Sequence, residues 1–326
     1  RSLIIDGVKA AYYHPRTVPP SKSAASQAPT PRKASSEPWV ITADTLSLRA
    51  DRALYAVSGA IPLPGLDLDY IEVSGVDILV EQFRNAGPTI SVPLRHLKAT
   101  ERCGLTLQAK GTFAMDSSAM HADDFELLTN HSRLTLDAMM GLAANDSDAA
   151  VPVALRAQGT LSGNDAAMAL PLAAPMINAL PQPRDVSLKA QAKGTMDRLD
   201  VNTLALALPG VMKVDVKGTV DHLLDPDRTG GNFTIDGAVT DPNAVRHSLT
   251  VLKIDPSIHI PALQLHGNAT YHPGKAAGKL NVTTHGGSMR ADASWVARPE
   301  DYSALVKLNG FPIDAFMPSL GIGPVT

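Results

Sequence analysis

The stretch VSLKAQAKGTMDRLDVNTLALALPGVMKVDVKG, Val186 to Gly218, decides the fold. In VSLKAQAKG, Val186, Leu188, Ala190 and Ala192 fall on one side of an extended chain. Ser187, Lys189, Gln191 and Lys193 fall on the other, because successive side chains of a strand alternate. KVDVKG repeats the pattern with Val214 and Val216 against Lys213, Asp215 and Lys217, and FTIDG repeats it with Phe233 and Ile235. One apolar face and one charged face describe a sheet with one side in water. The pattern leaves open whether a second sheet, a helix or a non-protein ligand meets the apolar side.

Working outward, the phrase that ends VSLKAQAKG recurs. AKGTF at Ala109–Phe113, AQGTL at Ala157–Leu161, AKGTM at Ala192–Met196 and VKGTV at Val216–Val220 each carry a strand into a glycine and a threonine before the chain turns. The glycine fits a bend or bulge that a Cβ would obstruct. A longer repeat lies over this one. Asp165 opens DAAMALPLAAPMINALP, which reads as a capped helix, and Asp241-Pro242 opens DPNAVRHSLTVLKI with aspartate at the N-cap and proline at the first helical position. PIDAFMPSL, Pro312–Leu320, resembles a third helix start. Gly194 to Gly267 and Gly237 to Gly310 are equal intervals, as expected of stacked units, each a short helix followed by four or five strands.

The expected organisation is therefore a leading strand of a truncated repeat (1–13), a disordered Pro/Ser-rich loop (14–38), β-strand repeats (39–163), two helix-plus-strands repeats (164–240 and 241–313) and the start of another (314–326). The loop has no apolar periodicity with which to bury a core. Both ends read as cut in mid-pattern, as in a fragment. The fold class is mainly β, an elongated repetitive β-sheet trough with short interspersed α-helices.

Composition agrees. The 326 residues carry 29 Lys+Arg against 32 Asp+Glu, without the basic excess of a nucleic-acid binder. Aromatics make up only 4% of a chain that is 44% apolar, so its apolar surfaces are built from small aliphatics. Cys103 is the single cysteine, which excludes an intrachain disulfide or a CxxC motif. Ala166–Leu180, the most apolar run, is too short to span a bilayer and contains Pro171, Pro175 and Asn178.

No catalytic constellation is present, so the chain is not read as an enzyme and no cofactor is expected: GxSxG, GxxxxGK[ST], HExxH and GxGxxG after a strand are all missing. The densest histidines, His259, His266, His272 and His285, lack metal-ligand spacing and read as exposed strand or turn residues, with no metal expected. Asp67 and Asp69 are placed on one strand face as solvated charges. DPDRTGGN, Asp225–Asn232, lacks the closing Glu of a calcium loop and reads as a hairpin connection. HADDFE, His121–Glu126, reads as a turn.

The repeated strand-then-KGT phrases, SLKAQAKGTMDRLDVNTLALALPG and TISVPLRHLKATERCGLTLQAKGTFAMDSS resemble the AsmA/TamB family of bacterial envelope proteins, in a form similar to those of Bacteroidetes-like bacteria. The resemblance covers most of the chain from Trp39 onward and brings no catalytic residue with it. It implies a trough with an apolar inside, in a Gram-negative protein anchored in the inner membrane and extending through the periplasm. It also implies phospholipid as cargo for outer-membrane assembly and an Omp85-type barrel as partner of regions outside this chain. The expected lipid-groove residues are Val186, Leu188, Val201, Leu204, Leu206, Val214, Val216, Phe233, Ile235, Leu263, Leu265, Leu280, Val282, Val306 and Leu308. Two other readings share this alternation: a structural or adhesive β-repeat with a closed core, and a chaperone-like scaffold that receives outer-membrane protein strands at its sheet edges.

Overall fold

The computed structural model describes residues 2–14, 39–142, 151–182, 184–223, 225, 227–252, 260–298 and 300–316. The Pro/Ser-rich segment from residue 15 onward, His259 and the end of the third helical segment lie outside these residues. The described chain forms one sheet of sixteen strands whose spatial order is their chain order.

The first group comprises β1 (Ser2–His14), β2 (Val40–Val57), β3 (Tyr70–Ala86), β4 (Thr89–Glu101), β5 (Thr106–Met115), β6 (Ala119–Leu128), β7 (Arg133–Gly141) and β8 (Pro152–Ser162). Two short helices follow, α1 (Gly163–Ala169) and α2 (Ala174–Ala179), and lead into β9 (Asp185–Thr195), β10 (Arg198–Leu208), β11 (Met212–Asp221) and β12 (Gly230–Val239). Helix α3 (Pro242–Val251) precedes β13 (Leu263–His272), β14 (Lys275–Thr284), β15 (Gly287–Ala297) and β16 (Glu300–Asn309), and α4 (Ile313–Phe316) comes last. Every neighbouring pair is antiparallel except β1 and β2, which run parallel.

The sheet does not close, because β1 and β16 each pair on one side only. Sixteen strands at about 4.8 Å spacing make an open trough roughly 70 Å long. Because the strands go up and down in turn, all four described helices lie at the same end of the strands. Short turns occupy much of the other end.

Local chemistry explains several elements. Asp241 caps α3 as the spacing predicts, accepting hydrogen bonds from Asn243 N and Ala244 N, with Pro242 at the first helical position. The Asp165 segment differs from its expectation. It is two helices, broken around Pro171, and Ser162 rather than Asp165 supplies the cap by accepting from Asn164 N. Pro171 and Pro175 lack the N–H groups that a continuous helix would need.

HADDFE is not a turn. It lies inside β6, where a register shift between Ala122 and Phe125 and a left-handed Asp124 (φ +52°) interrupt the alternation. Such bulges sharpen the local twist and bend of a sheet. At the repeated glycines the constraint is close approach of a neighbouring backbone. Gly159 has φ +156°, and a Cβ there would lie 2.0 Å from the Arg133 carbonyl oxygen. Asp67 and Asp69 precede β3 and occupy the β2–β3 loop, because the chain turns at Gly65 (φ +86°) before the strand begins.

A single-layer sheet leaves little to bury. Among the described residues no large side chain is fully buried, and the one apolar core cluster, Ala50, Val76 and Ala99, is made of small residues.

Candidate functional site: an apolar face across the sheet

The register of the strands builds the site. Starting at β1, the pairs Ile5–Leu48, Leu48–Ile78, Ile78–Leu97 and Leu97–Ala109 place one apolar residue on each successive strand. Ala109–Leu127, Leu127–Leu134, Leu134–Gly159 and Gly159–Leu188 continue it through β9. Leu188–Leu206, Leu206–Val214, Val214–Gly237 and Gly237–Leu265 carry it to β13. Leu265–Val282, Val282–Met289 and Met289–Leu308 bring it to the far edge. No polar side chain interrupts this row from the first strand to the sixteenth.

The next row over β9–β16, from Ala190 and Leu204 through Val216, Ile235, Gly267, Leu280 and Ala291 to Val306, is also free of polar side chains. A third row contains Val201, Gly218 and Phe233. Val186 and Leu263 stand on the rung beyond Leu188 and Leu265, on the same face. All fifteen residues singled out in the sequence thus share one face. Val282 is buried, Leu206 and Val306 are exposed, and the others are half-buried.

Most charge lies on the opposite face, the exceptions being strand-end residues such as Glu101 and Glu300. Along β13, Gln264, His266, Asn268 and Thr270 are exposed, while Leu263, Leu265 and Ala269 are half-buried and Gly267 is buried. Ion pairs there run between neighbouring strands, Lys110 to Glu126 at 3.1 Å and Arg95 to Glu81 at 2.6 Å, and His266 Nδ1 lies 2.6 Å from Asp236 Oδ1. Exposed pairs of this kind contribute about 0–1 kcal/mol each, so they mark the wet side more than they stabilise it. The described cavities also lie between polar side chains. One of about 240 Å³ is lined by Asp77, His96, Lys98, Lys110 and Glu126. These are clefts between long charged side chains. The apolar face offers a continuous strip instead of an enclosed pocket.

The histidines do not converge. His266 is paired with Asp236 on the polar face, His272 ends β13 and His285 sits in the β14–β15 turn. Among the described residues, no three His, Cys, Asp or Glu side chains are placed to share a metal ion. Asp225 accepts from Asp227 N within the β11–β12 connection.

One polar centre escaped the sequence reading. Asp165, buried in the first turn of α1, accepts hydrogen bonds from Thr129 Oγ1, Ser132 Oγ (2.7 Å), Ser132 N (2.8 Å), His131 N (2.9 Å) and His131 Nδ1 (2.9 Å). Burial alone would raise its pKa, but the bonds from Thr129, Ser132 and His131 outweigh it and hold the carboxyl well below the usual range. With its acceptor capacity filled, this carboxylate pins the β6–β7 turn to α1. A TNHS turn paired with an aspartate more than thirty residues later carries no local signal.

No family model, curated protein or solved structure matches the chain.

Proposed function

We propose that this chain is a non-enzymatic segment of an AsmA/TamB-like envelope protein that holds phospholipid acyl chains along its apolar face. On this reading it lies in the periplasm, belongs to a protein anchored in the inner membrane, and serves lipid transport to, or assembly of, the outer membrane. An Omp85-type barrel would be met by regions outside this chain.

The observation that carries the proposal is the unbroken apolar row from Ile5 to Leu308. An acyl chain gains roughly 0.8 kcal/mol for each CH₂ removed from water and meets no polar group to fix its position. Such a surface retains lipid yet lets it slide. An unpaired polar group on the path would cost on the order of 1–3 kcal/mol and act as a barrier. The row itself contains Gly159 and Gly237 and no aromatic side chain.

The test is native mass spectrometry of the chain purified gently from an envelope-containing host, with lipid extraction alongside. Co-purifying phospholipid that disappears in a folded Leu206→Glu or Val216→Glu variant is the expected result. A lipid-free mass from a stable fold would overturn the proposal. The unpaired edges of β1 and β16 favour a second reading, a scaffold that receives strands by β-augmentation. That reading predicts crosslinks from those edges to barrel strands and no lipid.

A further inference from the structure

On the apolar face of the last four strands, one rung differs from the rest. Pairing sets Tyr271 opposite Ala276, Ala276 opposite Trp295, and Trp295 opposite Tyr302, so these residues form a row across β13–β16. A chain with only two tryptophans and six tyrosines thus places one tryptophan and two tyrosines on a single rung. All three are open to solvent, Tyr271 at 46%, Trp295 at 41% and Tyr302 at 79%. Among the described residues none of these rings stacks on another ring.

The surroundings leave the ring faces free. Trp295 is flanked on its own strand by Ala293 and Ala297, and on the adjoining strands by Ala276, Gly278 and Ala304. The next rung toward the aliphatic rows is Ala269, Gly278, Ala293 and Ala304 throughout. Aromatic side chains therefore rise from a floor of small residues, with Tyr271 and Trp295 two strands, or about 10 Å, apart.

One charge shares this face. Of the side chains that β13–β16 turn to the apolar side, Glu300 alone is charged. It stands opposite Ala297, two residues from Tyr302 and diagonal to Trp295, an offset of about 7–8 Å that a long side chain bridges. Glu300 is exposed and makes no ion pair among the described residues.

A carboxylate without a cation of its own, beside aromatic rings whose faces are electron-rich, selects its ligand by charge. Both features repel an anion. A hard metal ion would need several oxygen ligands where this face offers one carboxylate. An organic cation satisfies both, its charge against Glu300 and its methyl or methylene groups against the rings. We infer that Tyr271, Trp295, Tyr302 and Glu300 form a binding site for an alkylammonium group. The source that matches the adjoining aliphatic rows is the amine headgroup of a zwitterionic phospholipid. That assignment rests on the function proposed above, whereas the ammonium site does not.

Trp39→Phe leaves Trp295 as the sole tryptophan, so its fluorescence reports on the site. Choline chloride, titrated against matched sodium chloride, should change the emission saturably. The uncharged isostere 3,3-dimethylbutan-1-ol should bind at least tenfold more weakly, and Glu300→Gln should weaken choline binding roughly tenfold with unchanged circular dichroism. Dihexanoylphosphatidylcholine below its micelle concentration should bind more tightly than choline. Leu280→Glu, on the aliphatic rows, should remove that advantage and leave choline binding intact. No response to choline, equal binding of choline and its isostere, or a Glu300→Gln protein that binds choline like wild type would overturn the ammonium site. A lipid that binds no more tightly than choline would overturn the headgroup assignment and give the site to a free amine.

Discussion

Ser132 donates both its backbone N–H and its hydroxyl to the same oxygen of Asp165, at 2.8 and 2.7 Å. This pair ties the β6–β7 turn to the start of α1 and so holds the helical rim onto the strands beneath it. In a sheet without a second layer, such a point of attachment has few substitutes.

Replacing Asp165 by Ala should therefore destabilise the chain by on the order of 1–3 kcal/mol, since the buried Ser132 and the half-buried Thr129 lose a charged acceptor together. Because the folded-state pKa of Asp165 lies below the ordinary carboxylate value of about 3.9, the unfolded chain takes up the proton first as the pH falls. The stabilisation is complete above about pH 5 and drains away below about pH 4. Asp116, lowered to about 2 by the Ser118 hydroxyl and the Ser118 and Ala119 amides, acts in the same direction. Melting followed from pH 8 to pH 2 should be flat and then fall. An Asp165→Asn variant should start lower at pH 7 and fall less in acid.

Gly159→Ala should cost about 1–3 kcal/mol, because φ +156° is poorly accessible to alanine and its Cβ would meet the Arg133 carbonyl oxygen. Gly278→Ala, where φ is ordinary and the nearest atom lies at 3.2 Å, should cost much less. Urea unfolding of the two variants decides the point, and equal losses would remove close backbone approach as the reason for glycine at this position.

Charge should be tolerated on one face and not on the other. Lys213→Glu lies on the polar face beside Asp215 and should leave bound lipid unchanged, whereas Leu206→Glu on the adjoining strand should abolish it. Extracted phospholipid per chain, measured on both variants after their folds are matched by circular dichroism, gives the comparison.

Cys103 should react slowly. Burial first, and then the Glu101 side chain, raise its thiol pKa, so little thiolate exists at pH 7.5. Alkylation by iodoacetamide should be slower than for a small free thiol and faster in Glu101→Gln. An equal rate in the two proteins would remove Glu101 as a cause.

Much of the sheet was legible because strand alternation is a local signal. Val186, Leu188, Val214 and Val216 identify their face without reference to any other strand, and register then aligns them. The α3 cap was legible for the same reason, since Asp241 and Pro242 are adjacent. What was missed depends on distant partners or local irregularity. Asp124 and the bulge around it hid β6 inside a turn-like HADDFE. Asp67 was placed on a strand although the chain turns at Gly65 and the strand begins only at Tyr70. Asp165 read as a helix cap because its real partners, Thr129 to Ser132, lie on another hairpin.

That strand order equals chain order has a mechanical consequence. Each interior strand is held by its two neighbours alone, and nearly every contact joins segments adjacent in the chain. Stability in such an array accumulates link by link. Pulled at its ends, the molecule should peel strand by strand from β16 inward in many small steps. The helical rim, where Asp165 holds the β6–β7 turn and Ala169 O accepts from Leu66 N of the β2–β3 loop, should be the place where peeling stalls.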